Sequence, residues 1–153
     1  MLEDTIVYER LKKTKLLFDS IAWFNAFTPA FRTMVLDWIK QDQLTEKGED
    51  ADGDIIGIYS RATELMSGGA KLEGDNFNLN DTGQFYQSMT ATPVADGLII
   101  DGNTEKMEDS FSQTNGYWWN DEILGLNEEN LNKLSYEVAQ SYIRYARKIL
   151  QIN

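Results

Sequence analysis

The sequence predicts an α+β fold, a small antiparallel β-sheet flanked by N-terminal helices and a long C-terminal helix. Three observations carry that expectation. Leu131, Leu134, Val138, Tyr142, Tyr145 and Ile149 follow one another at spacings of three or four, the stripe of a long amphipathic helix. Asp96-Gly97 separates two short β-like runs, and tight hairpin turns favour glycine at their second position. Phe31, Met34, Val35, Trp38 and Ile39 recur at helical spacing behind Thr28-Pro29.

Taken in order, residues 4 to about 22 read as a first helix. Asp4 is its N-cap, Glu9, Arg10, Lys12 and Lys13 form a charged face, and Ile6, Val7, Leu11, Leu16, Leu17, Phe18 and Ile21 supply apolar surface. A second helix is expected to start with Thr28 as N-cap and Pro29 in the first turn, where a missing N–H costs nothing, and to run to about Gln43. Residues 45–54 form an acidic loop, and Ile55–Tyr59 is a short β-like run. The stretch 66–78, with Gly68, Gly69 and Gly74, is expected to be mobile. Phe85–Val94 and Leu98–Asp101 read as paired strands, and 103–116 as loop or short helix. The final helix is expected over 128–150, with Asn127 as N-cap, a hydrophobic staple between Leu126 and Leu131, and Glu128 and Glu129 in the first turn. No repeat or boundary interrupts the 153 residues, so one domain over 1–153 is expected.

Composition narrows the function. The chain is 42% hydrophobic and 12% aromatic, which suits a packed core rather than a disordered chain. Its net charge is −11, from 25 acidic and 14 basic residues, which argues against a grip on nucleic acid. The densest basic groups, Lys12, Lys13 and Lys15, and Arg144, Arg147 and Lys148, read as helix faces, the second complementing a helix C-terminus. There is no cysteine and no histidine, so disulfides, thiolate metal sites and the Ser-His-Asp and Cys-His mechanisms are excluded. A carboxylate pair remains open in principle. The N-terminus is acidic and no run approaches a membrane span, so no leader and no membrane partner is expected, and a cytoplasm is the expected site of synthesis or assembly. Catalytic residues, metal ligands and cofactors are all expected to be absent.

Two motifs tempt and fail. Glu49-Asp50-Ala51-Asp52-Gly53-Asp54 suggests a calcium loop, but a frame with Gly53 at position 6 puts Gly48 at 1 and Tyr59 at 12, and a frame from Asp50 puts Ile55 at 6 and Arg61 at 12. It reads better as an acidic turn. Asp81-Thr82-Gly83 is the triplet of aspartic proteases, but it lacks a second copy and apolar flanks, so Asp81 and Gly83 are assigned to a turn launching a strand from Phe85. The aromatic cluster Tyr117, Trp118 and Trp119 is the candidate protein interface, with core packing and a sugar platform as competing readings.

The stretch Leu79-Asn80-Asp81-Thr82-Gly83-Gln84-Phe85-Tyr86-Gln87-Ser88-Met89 resembles tailed-bacteriophage neck proteins, the head–tail joining and tail-completion family, in which a Thr-Gly pair precedes a serine at the start of a strand, then a hairpin and a closing helix. Asp52-Gly53 to Tyr59-Ser60, and Ile123-Leu124-Gly125-Leu126 with Asn130 and Leu131, resemble small proteins of phages that infect gut bacteria. The resemblance implies a virion protein without enzymatic activity. It would form rings of six or twelve copies against portal, connector or tail proteins, with packaged DNA passing nearby without specific binding. Two other classes stay open: an acidic adaptor or inhibitor of a cellular protein, and a carbohydrate-binding or glycan-acting protein.

Overall fold

A computed structural model describes residues 20–94, 97–105 and 123–151. The fold is α+β. Helix α1 (Ser20–Asp37) continues without a break into a π-helical segment, Trp38–Lys47. Two short helices follow, α2 (Arg61–Met66) and α3 (Gln84–Ser88). The hairpin strands β1 (Thr90–Val94) and β2 (Gly97–Asp101) come next, and α4 (Glu128–Leu150) closes the order. The chain divides into two compact units, Met1–Phe31 with Asn132–Asn153, and Arg32–Leu131. The helix expected over residues 4–22 lies outside the described residues except at its end.

In the first unit, Thr28 and Phe31 of α1 and Ser141 of α4 are buried. The expected stripe of α4 from Leu134 to Ile149 is its less exposed face, and Tyr136 and Ile143 stand in solvent. Arg147 and Lys148 occupy the last turn, where the helix dipole favours cations. Thr28-Pro29 does not start a helix. Pro29 lies inside α1, because its fixed φ is already helical and its only forfeit is one backbone donor and some crowding of the preceding turn.

The core of the second unit begins on the face that Val35, Ile39 and Leu44 share, all fully buried. The α-spacing of this face carries past the expected end at Gln43 into a wider π-helical turn, a rare form concentrated at functional sites. Gly48, at φ 66°, ends the run in the left-handed region. A Cβ there would stand 2.6 Å from Asn76 Cβ and 2.7 Å from the Phe77 carbonyl oxygen, so only glycine lets the chain turn so close to 76–77.

Ile55–Tyr59 is extended but forms isolated bridges rather than a strand of a sheet, pairing Ile55 with Glu49 and Ile58 with Asn76. The Gly-rich stretch expected to be mobile is tied back at its end. Tyr59 N–H donates to Asp75 O at 2.8 Å, Gly74 N–H to Tyr59 O at 2.9 Å, and Phe77 N–H to Gly57 O at 2.8 Å. Helix α2 was not expected. It is capped by Ser60, whose hydroxyl accepts from Thr63 N–H at 3.3 Å.

The strand expected from Phe85 begins only at Thr90. Phe85, Tyr86 and Met89 are all buried. Neighbours in a strand point to opposite faces, whereas positions i, i+1 and i+4 share one face of a helix, so this turn coils as α3. Asp81 and Gly83 therefore launch a helix, with Gly83 at φ 77° as its N-cap. The hairpin is antiparallel, with Thr90 opposite Asp101 and Val94 opposite Gly97. Gly97 thus belongs to β2 itself, one residue earlier than expected. The N-cap of α4 is as expected: Asn127 Oδ1 accepts from Asn130 N–H at 3.0 Å. Leu131, however, is 50% exposed while Leu126 is buried, so hydrogen bonds rather than a buried staple fix this helix start.

Candidate functional site

The second unit is organised around a buried amide. Gln43 is fully enclosed, and its side chain reaches the start of α4. Its Nε2 donates to Gly125 O at 2.9 Å and, less closely, to Asp50 O at 3.5 Å. Its Oε1 accepts from Asn127 N–H and from Asn130 Nδ2, both at 3.0 Å. Both donors and both lone pairs are used, so a polar group at zero exposure carries no unmade bond. Asn127 Nδ2 donates in turn to Glu49 Oε2 at 3.0 Å. At the rim, Lys47 Nζ lies 2.5 Å from Glu129 Oε2 and 4.0 Å from Glu49 Oε2. The main-chain carbonyl of Gln43 also accepts from the amides of Gly48 and Glu49. One residue therefore ends the π-helical segment and anchors the beginning of α4.

A second network hangs on Tyr86 of α3. Its hydroxyl donates to Asn78 O and lies 3.2 Å from Thr45 Oγ1, which donates to Lys40 O at 2.6 Å. Tyr59 Oη donates to Asn78 Oδ1 at 2.8 Å. Burial raises the Tyr86 pKa above its ordinary value; the Thr45 hydrogen bond works against that shift and nearby Tyr59 adds to it.

Beside α3 lies an open recess of about 370 Å³, lined by Asp81, Thr82, Gly83 and Ser88 with Asn103 and Glu105 among others. The Thr-Gly pair and the serine singled out in the sequence thus come together. Ser88 is not at a strand start: it closes α3, donates to Phe85 O at 2.7 Å and accepts from Asn103 N–H at 2.8 Å. Carboxylates, amides and hydroxyls contribute to the recess, but most of its exposed lining is apolar, a mixed surface suited to a segment of another molecule that carries both polar and apolar groups.

The acidic turn is held by one of its own carboxylates. Asp50 Oδ1 accepts from Asp52 N–H at 3.0 Å and from Asp54 N–H at 2.9 Å, which is the turn chemistry expected of an Asp-Gly loop. Among the described residues no group of three or more acidic side chains is placed to hold a metal ion, and no helix is long and apolar enough to cross a membrane. Next to this turn, Ile55, Ile58, Leu65, Met66 and Leu72 project large apolar side chains into solvent, Leu65 at 68% and Met66 at 81% exposure.

Tyr117, Trp118 and Trp119, the interface candidates of the sequence, lie outside the described residues. Sequence reasoning missed the Gln43 centre, although a signal was present: Gln43 is the polar member of a four-residue series with Phe31, Val35 and Ile39. It also missed the exposed shoulder at 55–72. Compared with family profiles, curated proteins and solved structures, the chain matches none.

Proposed function

We propose that the chain is a structural virion protein of a tailed bacteriophage, forming or joining a ring at the head–tail interface and acting by assembly rather than chemistry. The observation that carries this reading is the order Thr82-Gly83, Ser88, hairpin, closing helix, in which the first three residues line one recess beside the β1–β2 hairpin. A recess of mixed polar and apolar lining and exposed apolar side chains on one compact unit suit a protein that meets neighbours on more than one face. The net charge of −11 fits a position beside DNA that slides past without being held.

The mass of the purified chain by light scattering behind a sizing column, over a concentration series, tests the reading. A discrete species of six or twelve copies is the expected result. A strict monomer that forms a tight one-to-one complex with a basic protein would replace it with the adaptor reading, which the exposed acidic turn at Asp52 and Asp54 favours.

A further inference from the structure

We propose that the apolar shoulder spanning residues 55–72 docks against a second copy of this chain. Its residues belong to one module. Arg61 at the start of α2 pairs with Glu64 and Glu73, at 3.5 and 3.8 Å, and Glu73 N–H donates to Glu64 Oε2 at 2.8 Å, so the chain bearing Leu72 folds back along α2. Asp75 N–H donates to Leu72 O, and the 74–76 segment pairs with Ile58 and Tyr59. Ile58, Leu65, Met66 and Leu72 are thereby gathered around one short helix, with Ile55 just upstream.

The size of this surface is informative. At the exposures found, these five side chains offer on the order of 500 Å² of apolar surface, as much as the largest patch of an ordinary monomer. That is more than half of the roughly 800 Å² that each partner buries in a standard interface. Among the described residues, none of the side chains of α2 is buried in the unit.

Charge selects the occupant. The chain as a whole carries −11, and two copies repel wherever acids face acids. Around the shoulder Arg61 and Lys71 lie among Glu64, Glu73 and Asp75, a nearly balanced set beside the four acids of the 49–54 turn, so two copies repel less there than where acids face acids. A basic partner would be drawn instead to the acidic turn at 49–54. The inference rests on the assembly reading only in taking the neighbour to be another copy.

The test compares the full chain with Leu65→Asp/Met66→Asp by light scattering over a concentration series, with Ile99→Asp as a matched control, since Ile99 is 56% exposed on β2. The wild-type chain is expected to self-associate. The double variant should need at least about tenfold more protein to do so, and Ile99→Asp should behave as wild type. Far-UV circular dichroism verifies that each variant is folded. The proposal is overturned if the double variant associates like wild type, if Ile99→Asp weakens association equally, or if the wild type stays monomeric throughout. A six- or twelve-copy wild type indifferent to the double variant removes the shoulder and keeps the ring. A two-copy wild type dissolved by it keeps the shoulder and removes the ring.

Discussion

Two regions of the second unit invert the usual partition of polar and apolar groups. Around Gln43 a polar amide lies at zero exposure, while along 55–72 five large apolar side chains lie in water. The first is tolerable because every hydrogen-bonding position of the amide is filled, from Gly125, Asp50, Asn127 and Asn130. The second is tolerable because α2 is held by polar means, through the Ser60 cap and the Arg61–Glu64–Glu73 pairs, and needs no apolar burial to stay in place. Polar order inside fixes which segments meet. Apolar exposure outside leaves surface for another molecule.

The sharpest way to break the comparison is Gln43→Ala. It strips partners from Asn127 N–H, Asn130 Nδ2 and Gly125 O at once, and all were bonded in a closed site. A loss of about 3–5 kcal/mol is expected in chemical denaturation. A loss under about 1 kcal/mol would mean that water replaces the amide and that the centre is not closed.

Gly48→Ala comes next. The residue sits at φ 66° and its new Cβ would press on Asn76 Cβ and the Phe77 carbonyl, so backbone strain and steric overlap add. A loss of about 2–3 kcal/mol is expected in the same assay. This site sharpens the comparison because Gly48 joins the two regions: its carbonyl accepts from Ile56 N–H at 2.9 Å, at the entrance to the shoulder.

Local features of this architecture were legible in the sequence and long-range ones were not. The Asn127 cap and the 128–150 helix depend on residues within a few positions, and both stand as read. Phe85, Tyr86 and Met89 were read with the wrong period, because three apolar residues in five fit a strand nearly as well as a turn of helix. The polar interruption at Gln43 was visible, but its three closest partners lie 82 to 87 positions away and no periodicity names them. Of the recess, Thr82, Gly83 and Ser88 were marked by resemblance, whereas Asn103 and Glu105 arrive only through the hairpin that returns the chain to α3.

Tyr86→Phe should cost about 1 kcal/mol through the lost bonds to Asn78 O and Thr45. Its pH dependence is more informative. The folded-state pKa is raised above the ordinary value of 10.0, chiefly by burial, so the folded protein holds this proton more tightly than the unfolded chain does. The contribution is therefore complete below the unfolded value and is lost as pH rises through the raised folded value. Denaturation midpoints followed into the alkaline range should fall more steeply for wild type than for Tyr86→Phe. Parallel curves would show that the hydroxyl is open to solvent.

The smallest effect is expected where the apolar side chains are most exposed. Leu65→Asp/Met66→Asp should change folding stability by no more than about 0.5 kcal/mol, since neither side chain is buried and the added acids meet the unfavourable end of a short helix only weakly. That near-null result is what separates a surface held out for a neighbour from one needed for the fold. A loss above about 2 kcal/mol would place Leu65 and Met66 among the side chains that hold this unit together. The exposed shoulder would then be an extension of the core, and the contrast with Gln43 would be one of degree.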